Sequence, residues 1–393
     1  MGEDLSTDVI VVGAGAVGAS SAAHLARAGW NVVVVEAFDG PAEGSTGRSF
    51  ASIRAQWADA LNIELSWRSI QGYRSFGEEH GIDVGYRPTG YLFLVPDAAW
   101  QAQLEAVELQ REHGVPVDVL EVAEAAKITP FEPDGIAGAT WGPSDGVVDP
   151  HLATSAYLNV SRTAGARVLY RHPVRAITAD EATGGWQVEA GERVLRAQYI
   201  VNAAGGWAGE LAALAGLAVP VAHSRRNIYA TAPGALAGTA PGAPAATLPM
   251  TIDLGTGVFV RSEGARLLFA AARPDQEDGY NVSVDWAWME TVLELAVPRF
   301  PWLADLPLDR SGCWAGTYEN TPDHHGILGA DPAAPTWVNA CGFSGHGLMQ
   351  APEIGRLVAE QISYGAITSI DSSALRLERF TAATRTSRVS LVF

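Results

Sequence analysis

Cysteine is almost missing from the 393-residue sequence: Cys313 and Cys341 are its only two. One pair is no disulfide framework, so a reducing, cytoplasmic setting is expected. Positive charge is also scarce, with 26 Lys and Arg against 44 Asp and Glu and a formal net charge of −18. That balance speaks against nucleic acid and anionic membranes as partners. No uninterrupted apolar run is long enough to cross a bilayer, and the acidic opening MGEDLSTD passes straight into an apolar strand, which leaves no room for a signal peptide. His324 and His325 follow Pro322-Asp323 without further ligands at metal spacing, so they read as turn residues and no metal site is expected. No Ser-His-Asp order, Walker loop or paired-carboxylate signature is present. Nor is there an internal repeat, and the sole low-complexity segment is the Ala/Gly/Pro loop Pro233 to Pro249. At 48% hydrophobic and 18% charged the composition is that of an ordinary globular protein, long enough for two or three interleaved domains.

The most informative stretch is Asp8 to Glu36, DVIVVGAGAVGASSAAHLARAGWNVVVVE. Val9 to Val12 are β-branched and apolar, Gly13, Gly15 and Gly18 follow in G-x-G-x-x-G spacing, and Ala19, Ala22, Ala23 and Ala26 mark a slim helix ended by Gly29. Trp30 to Val35 then predict a second strand that stops at Glu36. In such a unit Gly13 makes the turn, Gly15 lets backbone approach a pyrophosphate, and Gly18 lets helix pack on strand. The helix N–H groups take the phosphates and Glu36 the ribose hydroxyls, which favours FAD or NAD over NADP.

Helices are expected over Asp59 to His80, Ala98 to His113, Glu121 to Lys127, Asp149 to Ala164 and Ser283 to Val297, the last closed by Pro298. Strands are expected at Pro88 to Pro96, Arg167 to Tyr170, Val174 to Ile177, Asn227 to Ala232, Val258 to Arg261, Arg266 to Ala272 and Thr336 to Cys341. Trp186 to Ala190 with Val194 to Ala197 suggest a hairpin, separate from a buried strand at Tyr199 to Ala204. At the far end GFSGHGLMQAPEIGRLVAEQI repeats the order strand, glycine turn, helix. The expected class is α/β: a Rossmann-like domain with a mostly parallel sheet (1–86, 146–218 and 319–393), interleaved with an α+β substrate domain built on a mixed or antiparallel sheet (87–145 and 219–318).

Five motifs in order, GAGAVG with Glu36, GSTGRSFASIR (Gly44 to Arg54), VNAAGGWA (Val201 to Ala208), WAGTYENTPDHHGILG (Trp314 to Gly329) and GFSGHGLMQAPEIG (Gly342 to Gly355), resemble the FAD-dependent amine and amino-acid oxidoreductases. That family includes D-amino-acid oxidase, glycine oxidase and sarcosine oxidase, and the likeness is greatest to the sarcosine oxidase branch. The resemblance implies FAD contacts from Gly13, Ala14, Gly15, Ala16, Val17, Gly18, Glu36 and Ala37 at the nucleotide end, and from Ser45, Thr46, Arg48 and Ser49 in the first loop. Val174 would meet adenine; Ala204, Gly205, Trp207 and Gly316 would line the middle; and Gly345, His346, Gly347, Leu348 and Met349 would stabilise the reduced ring. It also implies hydride transfer from a C–H beside nitrogen to flavin N5, giving an imine that hydrolyses. Substrate contacts would come from Arg54 as an anion clamp and from Tyr318, Tyr229 and His346.

The departures from that pattern carry information too. Gly316 stands where the branch has its flavin-attaching Cys, and Thr46 and Gly47 where others have a histidine, so FAD is expected to be non-covalent. Met349 replaces a carboxylate-binding Lys, and Leu268 or a near neighbour the oxygen-activating Lys. A secondary or tertiary amine or N-alkyl amino acid is the expected substrate, with O2 or a quinone or carrier as electron acceptor. The alternatives are a primary (D-)amino acid oxidase or dehydrogenase, and an electron-relay subunit of a larger dehydrogenase complex. A homo-oligomer stays open.

Overall fold

A computed structural model describes residues 5–181, 183–236 and 247–380. The middle of the Pro233 to Pro249 loop lies outside these described residues. Two eight-stranded sheets carry the chain. In the first, the strands Val32–Val35, Leu5–Val12, Arg193–Asn202 and Ala334–Cys341 lie side by side in parallel. Val32–Val35 is apolar and buried throughout, and the other three are buried toward their carboxyl ends, as strands of a parallel sheet covered on both faces are. Antiparallel strands are added at the Ala334–Cys341 edge and on Arg193–Asn202. The second sheet is mainly antiparallel, in the order Trp314–Asn320, Ala222–Ala230, Arg266–Ala271, Val258–Glu263, Met250–Asp253, Tyr91–Pro96, Ile136–Gly142, Asp118–Leu120, with one parallel contact between Met250–Asp253 and Tyr91–Pro96. The chain visits the sheets in turn, so the fold class is the expected α/β with an interleaved mixed sheet.

Several expected boundaries change: the strand expected over Asn227 to Ala232 runs Ala222–Ala230, the one expected over Val174 to Ile177 runs on to Asp180, and two others change more. The supposed hairpin strand and the buried strand after it are one continuous strand, Arg193–Asn202. Its first half pairs antiparallel with Gly185–Ala190, and Leu195 to Asn202 pair parallel with Leu5–Val12. The polar Arg196 and Gln198 on the partly exposed half disguised it as two segments. Pro298 does not close its helix, which runs Trp286–Arg299; Phe300 N still bonds Ala296 O at 2.8 Å, so one missing donor near the end is tolerated.

The helix Ala16–Arg27 packs against the closing helix Gly347–Tyr364 through small residues: a Cβ on Gly355 would lie 2.2 Å from Ser20 Oγ. Pro352 inside the closing helix cannot donate to the carbonyl of Leu348, and Tyr73 Oη from the helix Ala60–His80 donates to it instead, at 2.6 Å. Ser69 Oγ braces the same turn through Gln350 O and Glu353 N. Both helix N-termini are thereby held at the carboxyl ends of the parallel strands, where open α/β sheets place ligands.

Candidate functional site

A cavity of ≈ 690 Å³ runs from the first sheet to the second. Its front is backbone. Gly13 has φ of +109° and a Cβ there would meet Ala203 O at 2.3 Å, so only glycine fits. Gly15, Ala16 and Val17 line the cavity, and the helix Ala16–Arg27 begins at Gly15 with no side-chain cap. Thr46 Oγ1 accepts from Ala16 N at 3.2 Å. The closing helix begins at His346, also without a side-chain cap, and Gly345, Gly347 and Leu348 border the same cavity. Two uncapped helix starts therefore give one cavity a positive partial charge at each. Glu36 and Ala37 line the front wall, with Glu36 accepting from Ala14 N at 2.7 Å and Phe38 N at 2.9 Å. These residues suit a dinucleotide: free N–H groups for its phosphates, a carboxylate for its ribose, and an absent Cβ at Gly15 where backbone must come close.

Ser45, Thr46, Arg48 and Ser49 border the cavity from the first loop, Val174 from the nucleotide side, and Ala204, Gly205 and Trp207 from the turn after Arg193–Asn202. Ala14 and Gly18 stand behind the front turn; a Cβ on Gly18 would strike Gly13 O at 2.0 Å. Met349 is buried behind the closing turn.

The far end is made of side chains. Tyr318 lines it, with its ring against Gly345, where a Cβ would come within 2.5 Å of Cε2. Burial raises the phenol above its ordinary value, so it stays a hydroxyl. Gly316 lines the cavity beside Arg48, and no cysteine among the described residues does so. Cys313 instead accepts from Ala230 N and donates to Asp309 O. Glu319 also borders the site, accepts from Gly342 N at 3.3 Å, and is pushed up to about 7 by burial.

Three expected substrate contacts stand off the cavity. Arg54 is 3% exposed; its guanidinium carbon lies 3.6 Å from the Trp57 ring centroid, and Nη1 donates to Gln56 O. Burial holds it below the ordinary arginine value, and nearby Asp145, itself raised to about 7 by burial, accepts from Ala55 N and Gln56 Nε2. Tyr229 turns away to donate to Asp285 O at 2.6 Å. His346 packs edge-on against Trp57 at 4.4 Å, and burial keeps its imidazole neutral, well below the usual value. Arg226 was missed by the sequence reading yet lines the cavity, its guanidinium carbon 4.6 Å from the Tyr318 ring centroid. The only hint was a pair of arginines, Arg225-Arg226, inside a strand of an acidic chain.

Residues 8–361 match the model of the DAO family, FAD dependent oxidoreductase. The chain belongs to this family. FAD-dependent oxidoreductase domain-containing protein 1 of Xenopus laevis is 29% identical over 424 residues, covering 95% of this chain and 82% of that protein. The 4-methylaminobutanoate oxidase (formaldehyde-forming) of Paenarthrobacter nicotinovorans is 26% identical and covers 94% of this chain, which spans 45% of that longer protein. Among solved structures, L-proline dehydrogenase from P. horikoshii superposes with a TM-score of 0.86 at 28% identity, covering 96% of this chain and 99% of that one. As a DAO-family member the chain is an FAD-dependent oxidoreductase with amino-acid oxidases and dehydrogenases among its relatives, and the two helix starts and Glu36 are what its cofactor would meet. Among the described residues no helix is long and apolar enough to cross a membrane, and no cluster of His, Cys, Asp and Glu could hold a metal ion.

Proposed function

We propose that this chain oxidises a C–N bond of a secondary or tertiary amine or N-alkyl amino acid, with FAD held non-covalently in the cavity. The observation that carries this reading is a single cavity bordered at one end by the dinucleotide turn and at the other by Tyr318 against Gly345. Bound FAD supplies a two-electron acceptor for hydride leaving the carbon next to nitrogen. The chain's own residues do the rest. Backbone N–H groups at Gly15 and Val17 would take phosphate oxygens, Glu36 would take ribose hydroxyls, and the closing helix start would offer positive potential where negative charge collects. Phe50, Phe259 and Tyr318 give the far end an aromatic wall. A neutral bound amine needs no dedicated base. The named substrates of two relatives, 4-methylaminobutanoate and L-proline, are secondary amines, which supports the same class here.

We also propose residues 1–86, 146–218 and 319–393 as the FAD-binding part and 87–145 and 219–318 as the substrate part. The strand Trp314–Asn320 belongs to the second sheet, so the last boundary sits better after Asn320. With two free cysteines, a cytoplasmic setting remains our assignment.

Anaerobic mixing of flavin-loaded protein with N-methyl amino acids, cyclic imino acids and matched alcohols tests the reaction. Amines should bleach the flavin absorbance and alcohols should not; no bleaching by any amine at any pH overturns the substrate class. A second reading concerns the acceptor. Lys127 is the sole lysine, in the helix Val122–Ile128 and off the cavity, and Leu268 is fully buried in its strand. Lacking a cavity lysine, the chain suits a dehydrogenase passing electrons to a quinone or carrier, alone or in a complex. Faster turnover with a dye than with O2 supports it.

A further inference from the structure

We propose that Arg226 receives the carboxylate of an amino-acid substrate, with Arg48 reinforcing it from the other side of Gly316. The inference rests on the amine-oxidising reading above and names the group its substrate carries. Arg226 lies opposite Gly316 in the ladder between Ala222–Ala230 and Trp314–Asn320. Its Nη1 donates to Ser224 Oγ at 2.9 Å and to Arg225 O at 3.0 Å, both neutral acceptors. Its Nε is buried and has no partner. The guanidinium lies over the Tyr318 ring, its carbon 4.6 Å from the centroid. Arg48 reaches Gly316 from the first loop: a Cβ on Gly316 would lie 2.8 Å from Arg48 Cβ. Arg48 Nε is likewise buried and unpartnered, and both arginines line the cavity.

Apart from Arg54, which lies on the Trp57 ring with Asp145 nearby, the other well-buried arginines among the described residues meet a carboxylate. Arg225 meets Asp285 at 2.8 Å, Arg261 meets Glu263 at 3.2 Å, Arg299 meets Asp253 at 2.9 Å and Arg379 meets Asp323 at 2.8 Å. Arg48 and Arg226 form no such pair among the described residues, although the chain has 44 acidic residues to offer. A guanidinium taken out of water without an anion is costly, and a ligand carboxylate that bonds its open N–H groups removes that cost. The cofactor's phosphates do not need these arginines, because the helix start at Gly15 already presents backbone donors to them. Arg226 instead stands on the second sheet with Tyr318, where a substrate would meet the reactive end. Arg54, the clamp expected from the sequence, is packed on Trp57 and off the cavity.

The test uses flavin-loaded protein and the variants Arg226→Met, Arg226→Lys, Arg48→Met and Arg54→Met. Propionate, a carboxylate without an amine, is titrated against the flavin absorbance spectrum. It should perturb the wild-type spectrum saturably. Arg226→Met should raise its dissociation constant by about 10- to 100-fold, the range for losing a hydrogen bond to a charged group. Arg226→Lys should recover part of the affinity, and Arg48→Met should weaken binding less than Arg226→Met. In turnover, the preference for an N-methyl amino acid over the same amine without its carboxylate should collapse in Arg226→Met, chiefly through KM. If Arg226→Met fails to hold flavin, thermal stabilisation of the Arg226→Lys protein by propionate, compared with wild type, gives the same reading. Undiminished propionate affinity in Arg226→Met, loss of affinity in Arg54→Met alone, or no carboxylate binding by the wild type overturns the proposal. Propionate binding that depends on Arg226 in a protein no amine can reduce would uphold this site while removing the amine-oxidising reading.

Discussion

The two ends of the cavity are built in different ways. The front is backbone: a turn of small residues, an uncapped helix start and one carboxylate, all within residues 8–36. The far end is side chains brought from distant stretches, with Arg48 from the first loop, Arg226 and Tyr318 from two strands, and Gly345 and Gly347 from the closing turn. A backbone site tolerates almost no change in shape, because it works by bringing main chain close to the ligand. A side-chain site can be retuned one group at a time, so substrate choice should vary there while the cofactor grip stays fixed.

The largest effect should follow from Gly13→Ala. An L-residue at φ of +109° carries roughly 1–3 kcal/mol of strain, and its Cβ would also collide with Ala203 O. The purified variant should be colourless or shed flavin, as read by absorbance. If it holds flavin as tightly as wild type, the front is not the rigid element claimed. A smaller effect is expected for Tyr229→Phe, which loses the hydrogen bond to Asp285 O. It should cost about 1 kcal/mol in denaturant unfolding and leave KM unchanged; a raised KM would put Tyr229 in the substrate site after all.

The smallest concerns Glu319 and pH. Burial lifts its carboxyl from 4.5 to about 7 in the folded chain. Between those values the folded state binds a proton that the unfolded state has lost, so this group's contribution to stability falls as pH rises through the window. Glu319→Gln should therefore flatten the decline of Tm between pH 5 and 7, measured by calorimetry. An unchanged slope would mean that the carboxyl is ionised, and so solvated, in the fold. His24 acts with the opposite sign: burial lowers it to about 4, and its contribution is lost as pH falls below the ordinary 6.5.

The opening strand, helix and second strand were readable to within a few residues, because glycine spacing and β-branched runs act locally. So was the closing helix Gly347–Tyr364. The strand Arg193–Asn202 was split in two because its partners change along its length, and the alternation of its exposed part hid its continuity with the buried part. Pro298 misled for a related reason: a proline ends a helix only where the lost hydrogen bond matters, and one turn from the end it does not.

Arg54 and Arg226 mark the limit most clearly. Both are arginines near aromatic residues in sequence, and a motif singled out Arg54. Which guanidinium reaches open space depends on how the ladder between Ala222–Ala230 and Trp314–Asn320 sets Arg226 opposite Gly316, and on Trp57 and Gln56 closing over Arg54. Residue order alone specified the core of a nucleotide grip, since Gly13 to Val17 and Glu36 lie within one short stretch whose conformation follows from glycine and β-branched sterics. The choice of which buried charge faces the ligand belongs to long-range packing, because burial and pairing are properties of neighbours that only the folded chain brings together.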